Sequence, residues 1–189
     1  NKNGNSFAIG NISGKTNWSK ALKNIEVIIH CASVTHFDNK KSSSIAVLNE
    51  VNIKATKNMV DQASKMGVKR IIFISSLKVN GEVSQKGFKF TNKSILKPQD
   101  PYAISKYRAE KIIKSSAKKN NINFVIIRPP LVYGEFVKGN FLSLIKLISI
   151  GIPLPLNSIN NSRSIIYVGN LVYFIYECIL NSNANGKTF

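Results

Sequence analysis

Apolar residues along this 189-residue chain fall into short unbroken runs separated by longer stretches in which they recur every three or four positions. The runs 27–31, 70–75 and 123–127 are rich in β-branched residues and predict buried strands. Stretches 45–66 and 101–120 predict long amphipathic helices, the first closed by Gly67. Shorter signals predict a strand at 6–9, a helix at 18–24, a helix at 139–150, a strand at 165–168 and a helix at 169–180. Buried strands that alternate with long helices imply a parallel sheet covered on both faces, the doubly wound α/β arrangement. The segment 81–99 is long and polar, with Gly81, Gly87 and Pro98, and reads as a loop placed over a site.

The helix expected from residue 101 carries candidate chemistry at its start. Asp100 is a good N-cap and Pro101 suits the first helical position. Tyr102 and Lys106 are four residues apart and therefore share a face. A free tyrosine ionises near pH ~10. An ammonium held nearby would lower that value and let the phenol exchange a proton with a sugar or alcohol hydroxyl. The same spacing also occurs in ordinary amphipathic helices.

Composition narrows the classes. No apolar run reaches the ~18 residues that span a bilayer. Cys31 and Cys178 give neither a disulfide framework nor metal-ligand spacing, so a reducing, cytoplasmic setting is the expectation. The net charge of +18 is carried almost entirely by lysine, since the arginines are only Arg70, Arg108, Arg128 and Arg163. The lysines are spread along the chain and aromatic residues are not interleaved with them, which argues against nucleic acid as the partner. A basic surface also attracts anionic ligands such as nucleotides. His30 reads as a satisfied strand residue, and His36 receives no role.

Several segments fall into one order: VIIHCAS from Val27, VNIKAT from Val51, GVKRIIFISSLKVNG from Gly67, the Tyr102/Lys106 helix, IRPPLVYG from Ile127 and NSRSIIYV from Asn161. Together they resemble the extended short-chain dehydrogenase/reductases, the NAD-dependent epimerase/dehydratase family acting on nucleotide sugars. The wording is similar to bacterial UDP-sugar C4 epimerases and C4 dehydrogenase/reductases that serve surface polysaccharide synthesis. The resemblance implies a Rossmann-like sheet. The family's opening G-x-x-G-x-x-G turn, which holds the cofactor pyrophosphate on a helix N-terminus, has no counterpart here. The expectation is therefore an internal part of a longer protein that lacks the first βαβ unit. Residues 1–135 would form the NAD-binding domain and 136–189 part of a smaller substrate-binding region.

The resemblance gives Tyr102 the role of acid/base at the sugar C4 hydroxyl. Lys106 would lower the tyrosine and bind the nicotinamide ribose. Ser76 would orient the substrate oxygen, with Ser75 as the competing choice because a one-residue slip reverses the face of a strand end. Cofactor contacts are expected from Asn11, Ile12, Cys31, Ala32, Ser33, Asn52 and Pro129, with helix N-capping as the other reading of Asn52. Asn140 and Arg163 would hold the sugar diphosphate; a guanidinium suits such bidentate binding. The implied cofactor is NAD, with NADP open. The implied substrate is a UDP-hexose or UDP-N-acetylhexosamine, and the implied assembly is a homodimer. Three functions remain open: C4 epimerisation, one-way C4 oxidation or reduction, and non-catalytic nucleotide binding.

Overall fold

A computed structural model describes residues 6–35, 45–84, 87–135, 140–151 and 162–189. Three strands, β1 (Val27–His30), β2 (Arg70–Ile74) and β3 (Asn123–Ile127), form a parallel sheet in the order β1-β2-β3. Ile71, Ile72 and Phe73 of the central strand are fully buried, as expected of a strand covered on both faces. Alternation divides them. Ile71 and Phe73 meet Met59, Val60, Ala109 and Ile113 on one face, whereas Ile72 meets Leu171 and Cys178 on the other.

Helices α1 (Ser19–Leu22), α2 (Ile45–Leu48) and α3 (Ala55–Lys65) precede β2, with a π-helical segment, Asn49–Lys54, joining α2 to α3. Helix α4 (Pro101–Asn120) crosses from β2 to β3. Gly67 ends α3 as expected: its φ is +77°, and the amide of Val68 reaches back 3.1 Å to the Ala63 carbonyl. Helix α5 is Asn140–Ser149, and α6 is Val168–Leu180. A second parallel pair, β4 (Leu131–Tyr133) with β5 (Ile165–Tyr167), lies beyond β3.

One expectation changes. Residues 6–9 are not a strand; among the described residues no ladder partner pairs with them, and a strand exists only as one side of a ladder. Unforeseen was the chain's last segment, which pairs alongside β3: the Phe189 amide donates to Ile126 and the Arg128 amide donates to Phe189, both at 2.9 Å. No helix among the described residues is long and apolar enough to cross a membrane.

Candidate active site

The first turn of α4 forms as its sequence requires. Asp100 stays extended, and its Oδ1 accepts the Ala103 amide at 2.7 Å, with Pro101 next in line. Tyr102, Lys106 and Glu110 then follow at successive four-residue steps along one stripe. Tyr102 is half-buried, and Lys106 and Glu110 are 2 % and 1 % exposed. The Lys106 ammonium lies 4.5 Å from the centroid of the Phe73 ring, a cation–π contact. Among the described residues it takes part in no ion pair. Burial lowers this ammonium to about 8, while Cys31 and Glu110 act in the opposite direction.

Tyr102 differs from its expectation. Burial is the largest influence and pushes the phenol above its ordinary value; Asp100 adds to this. A hydrogen bond with Ser33 and the charge of Lys78 act against it. The lowering expected from Lys106 is therefore not met; desolvation outweighs the favourable charges at this depth.

The two serines after β2 separate cleanly. The Ser75 hydroxyl is buried and donates to Glu110 Oε1 at 2.5 Å. Ser76 is part-exposed, and its hydroxyl accepts the Lys78 amide at 3.3 Å, capping a short 3₁₀ turn, Leu77–Val79. Of the two hydroxyls, that of Ser76 is the more accessible among the described residues, at the carboxyl end of β2, where open α/β sheets gather their ligands.

Beyond β1, Cys31 is exposed, and Ala32 and Ser33 are part-buried. Asn52 holds this turn. Its Oδ1 accepts the Val34 amide at 2.9 Å and the Ser33 hydroxyl at 3.2 Å. Its Nδ2 donates to the Val34 carbonyl at 3.1 Å and to Ser105 Oγ on α4 at 2.9 Å. Asn52 thus sits inside the π-helical segment and is not a helix cap. Ser33, Asn52, Tyr102 and Lys106 are brought into one neighbourhood.

His30 is buried, and burial takes its imidazole down to about 4, with Lys106 adding to the effect. The Thr56 hydroxyl donates to the Asn52 carbonyl at 2.8 Å, so His30 Nε2, 2.9 Å from the same hydroxyl, carries the hydrogen and donates. This is the satisfied strand histidine that the sequence suggested. His36 lies outside the described residues.

Other candidates lie further out. Asn11 is exposed, Ile12 part-buried, and the Asn11 carbonyl accepts the Thr16 hydroxyl at 3.3 Å. The Pro129 carbonyl accepts the Leu77 amide at 3.0 Å, which ties the end of β3 to the Ser76 turn. Asn140 opens α5, and Arg163 is exposed just before β5.

Sequence reasoning missed two polar groupings. In the first, the Arg128 guanidinium grips Glu110 through Nε at 2.9 Å and Nη2 at 2.6 Å, with both side chains buried. Arg128 also reaches Asn80 Oδ1 at 3.3 Å, and Asn80 reaches the Thr91 carbonyl at 3.1 Å. Glu110 lies two helical steps beyond Tyr102, a spacing that was visible in the sequence. In the second, Lys78 Nζ bonds Asp100 Oδ2 at 2.6 Å and Glu82 Oε1 at 3.1 Å.

Comparison with known proteins bears on the family and the fold. The family model described as "NAD dependent epimerase/dehydratase family" matches residues 1–189. The chain is 44% identical over 185 residues to the UDP-glucose 4-epimerase of Vibrio cholerae, covering 97% of this chain and 56% of that protein. It is 31% identical over 186 residues to N-acetyl-alpha-D-glucosaminyl-diphospho-ditrans,octacis-undecaprenol 4-epimerase of Escherichia coli O157:H7, covering 96% and 54% respectively. The chain thus spans about half the length of the curated relatives it matches. A crystal structure of UDP-glucuronic acid 4-epimerase from Bacillus cereus in complex with NAD superimposes with a TM-score of 0.79 at 23% identity, over 93% of this chain and 56% of that one, a likeness of fold. A doubly covered parallel sheet, a tyrosine and lysine one turn apart on its crossover helix, and a family match along the whole sequence lead to one statement: the chain belongs to the NAD-dependent epimerase/dehydratase family.

Proposed function

We propose that the intact protein epimerises a UDP-hexose or UDP-N-acetylhexosamine at C4 through a transient 4-keto sugar. One observation carries the reading: Tyr102 and the buried ammonium of Lys106, which has no ion-pair partner among the described residues, share a helix face, with the part-exposed Ser76 at the end of β2, in a chain 44% identical to a UDP-glucose 4-epimerase. Tyr102 Oη would take the proton of the C4 hydroxyl as the C4 hydrogen departs, and would return it when the ketone is reduced from its other face. Ser76 Oγ would hold the same oxygen in line. Epimerisation leaves no net redox change.

NAD, when bound, supplies the acceptance and return of the hydride. The residues present suit it. Lys106 has donor capacity that no described carboxylate uses, which fits it to ribose hydroxyls. The turn 31–33 is held rigid by Asn52 at the carboxyl end of β1, the end where such sheets receive nucleotides. Asn11, Ile12 and Pro129 would complete the cofactor contacts within residues 1–135. Asn140 and Arg163 in 136–189 would take the sugar diphosphate. A homodimer in the cytoplasm completes the reading.

Replacing Tyr102 by Phe in the intact enzyme is expected to lower kcat by two or more orders of magnitude, in line with the loss of a general acid/base. Near-normal turnover would remove Tyr102 from the chemistry. The same assay, following NADH absorbance, separates epimerisation from a one-way C4 reductase, which would consume the reduced cofactor. Offering the hexose on UDP and on a polyprenyl diphosphate identifies the carrier.

A further inference from the structure

We propose that Lys78 is a positioning residue for Tyr102, because its ammonium ties the turn that follows Ser76 to the carboxylate that caps the Tyr102 helix. The proposal rests on the reading of Tyr102 as the acid/base. Asp100 uses its two oxygens for two tasks. Oδ1 accepts the Ala103 amide and so fixes the first turn of α4; Oδ2 accepts Lys78 Nζ at 2.6 Å. Lys78 stands two residues after Ser76, and its own amide donates to the Ser76 hydroxyl. One short chain of bonds therefore runs from Ser76 through Lys78 and Asp100 to the helix turn that carries Tyr102.

The pair is 44 % and 22 % exposed, so it contributes little to global stability. Its importance lies in its position. The groups acting on Tyr102 include Ser33 from the β1 turn, Asp100 at the cap of its own helix, and Lys78 from the 3₁₀ turn. Lys106 lies one turn further along, with Cys31 near it. Glu82 shares the Lys78 ammonium. An isolated Asp100 carboxylate would oppose ionisation of the neighbouring phenol; Lys78 offsets that charge while holding both segments in register. Burial works to raise the Asp100 carboxyl, yet the Lys78 bond and the Ala103 amide outweigh it and hold the group at about 2, so it remains charged throughout the working range.

The test reads the phenol directly, by carbon-13 NMR of ring-labelled tyrosine in the intact protein, with Tyr102→Phe assigning the resonance. Lys78→Met should cut the phenolate fraction of Tyr102 at pH 10 by about three- to tenfold, the size of one nearby unit charge. Lys78→Arg should leave it near the original value. Asp100→Asn, which preserves the helix cap, should raise the fraction. The double variant Lys78→Met/Asp100→Asn removes both opposing charges and should recover most of the phenolate fraction, while its turnover stays low because the tie between the two segments is gone. In turnover assays the Lys78→Met enzyme should lose kcat by the same factor on the acid side, with KM little changed. An unchanged phenolate fraction in Lys78→Met, an equal loss in Lys78→Arg, or no recovery in the double variant would overturn the proposal. Full activity of Tyr102→Phe alongside a shifted phenol would instead overturn the catalytic reading and leave the electrostatic link standing.

Discussion

Arg128 and Lys106 are two cations at similar depth, 7 % and 2 % exposed, and both have Glu110 as a neighbour. Arg128 is matched completely: its guanidinium forks onto both carboxylate oxygens and also reaches Asn80. Lys106 has the face of Phe73 and no carboxylate of its own among the described residues. The first arrangement closes a core. The second leaves donor capacity unused, and the cost shows as an ammonium lowered to about 8. The fully paired charge serves the fold, and the open one is the donor proposed above for the cofactor.

The sharpest way to break this contrast is to remove the paired carboxylate. Glu110→Ala strands Arg128 and should destabilise the protein by about 3–5 kcal/mol in denaturant titration. A loss below ~1 kcal/mol would mean that the pair is not the lock described. Lys106→Met tests the other half and has the opposite sign. The unfolded lysine titrates at 10.5 and the folded one at about 8, so below pH 8 the fold is burdened by a charge it disfavours. This variant should gain roughly 2–3 kcal/mol at pH 7 without cofactor, while turnover is lost. The gain should shrink as pH rises from 8 to 10.5, because the neutral amine no longer opposes folding. Equal stability at pH 7 and pH 10 would refute the assignment. The smallest effect is at the margin of the lock: Ser75→Ala removes one bond to an oxygen that Arg128 still satisfies, and should cost about 1 kcal/mol.

Much of the frame was legible because it is local. The β-branched runs define β1 to β3 within a residue, and Asp100-Pro101 marks the start of α4 without any tertiary information. The Ser75/Ser76 choice was not legible, since only the position of Glu110 across the helix decides which hydroxyl is taken. Arg128 received no role, because its partner lies 18 residues away on another element. Residues 6–9 have strand composition, but pairing is a property of two segments and cannot be read from one. For Tyr102 the sequence supplied the neighbouring cations but not the depth of burial, and burial set the direction.

The π-helical segment 49–54 has a wider meaning for this family member. The Ala55 amide bonds the Glu50 carbonyl, five residues back, so one residue is accommodated beyond what an α-helix would hold. The carbonyl of Asn52 is taken up by the Thr56 hydroxyl. Each residue of an α-helix turns the chain by about 100°. The extra one therefore works as a phase adjuster, letting the residues before it and after it point independently. The rigidity of the β1 turn is in this sense encoded by a count. A chain identical in every side chain but one residue shorter here would keep its helix and lose the aim of Asn52.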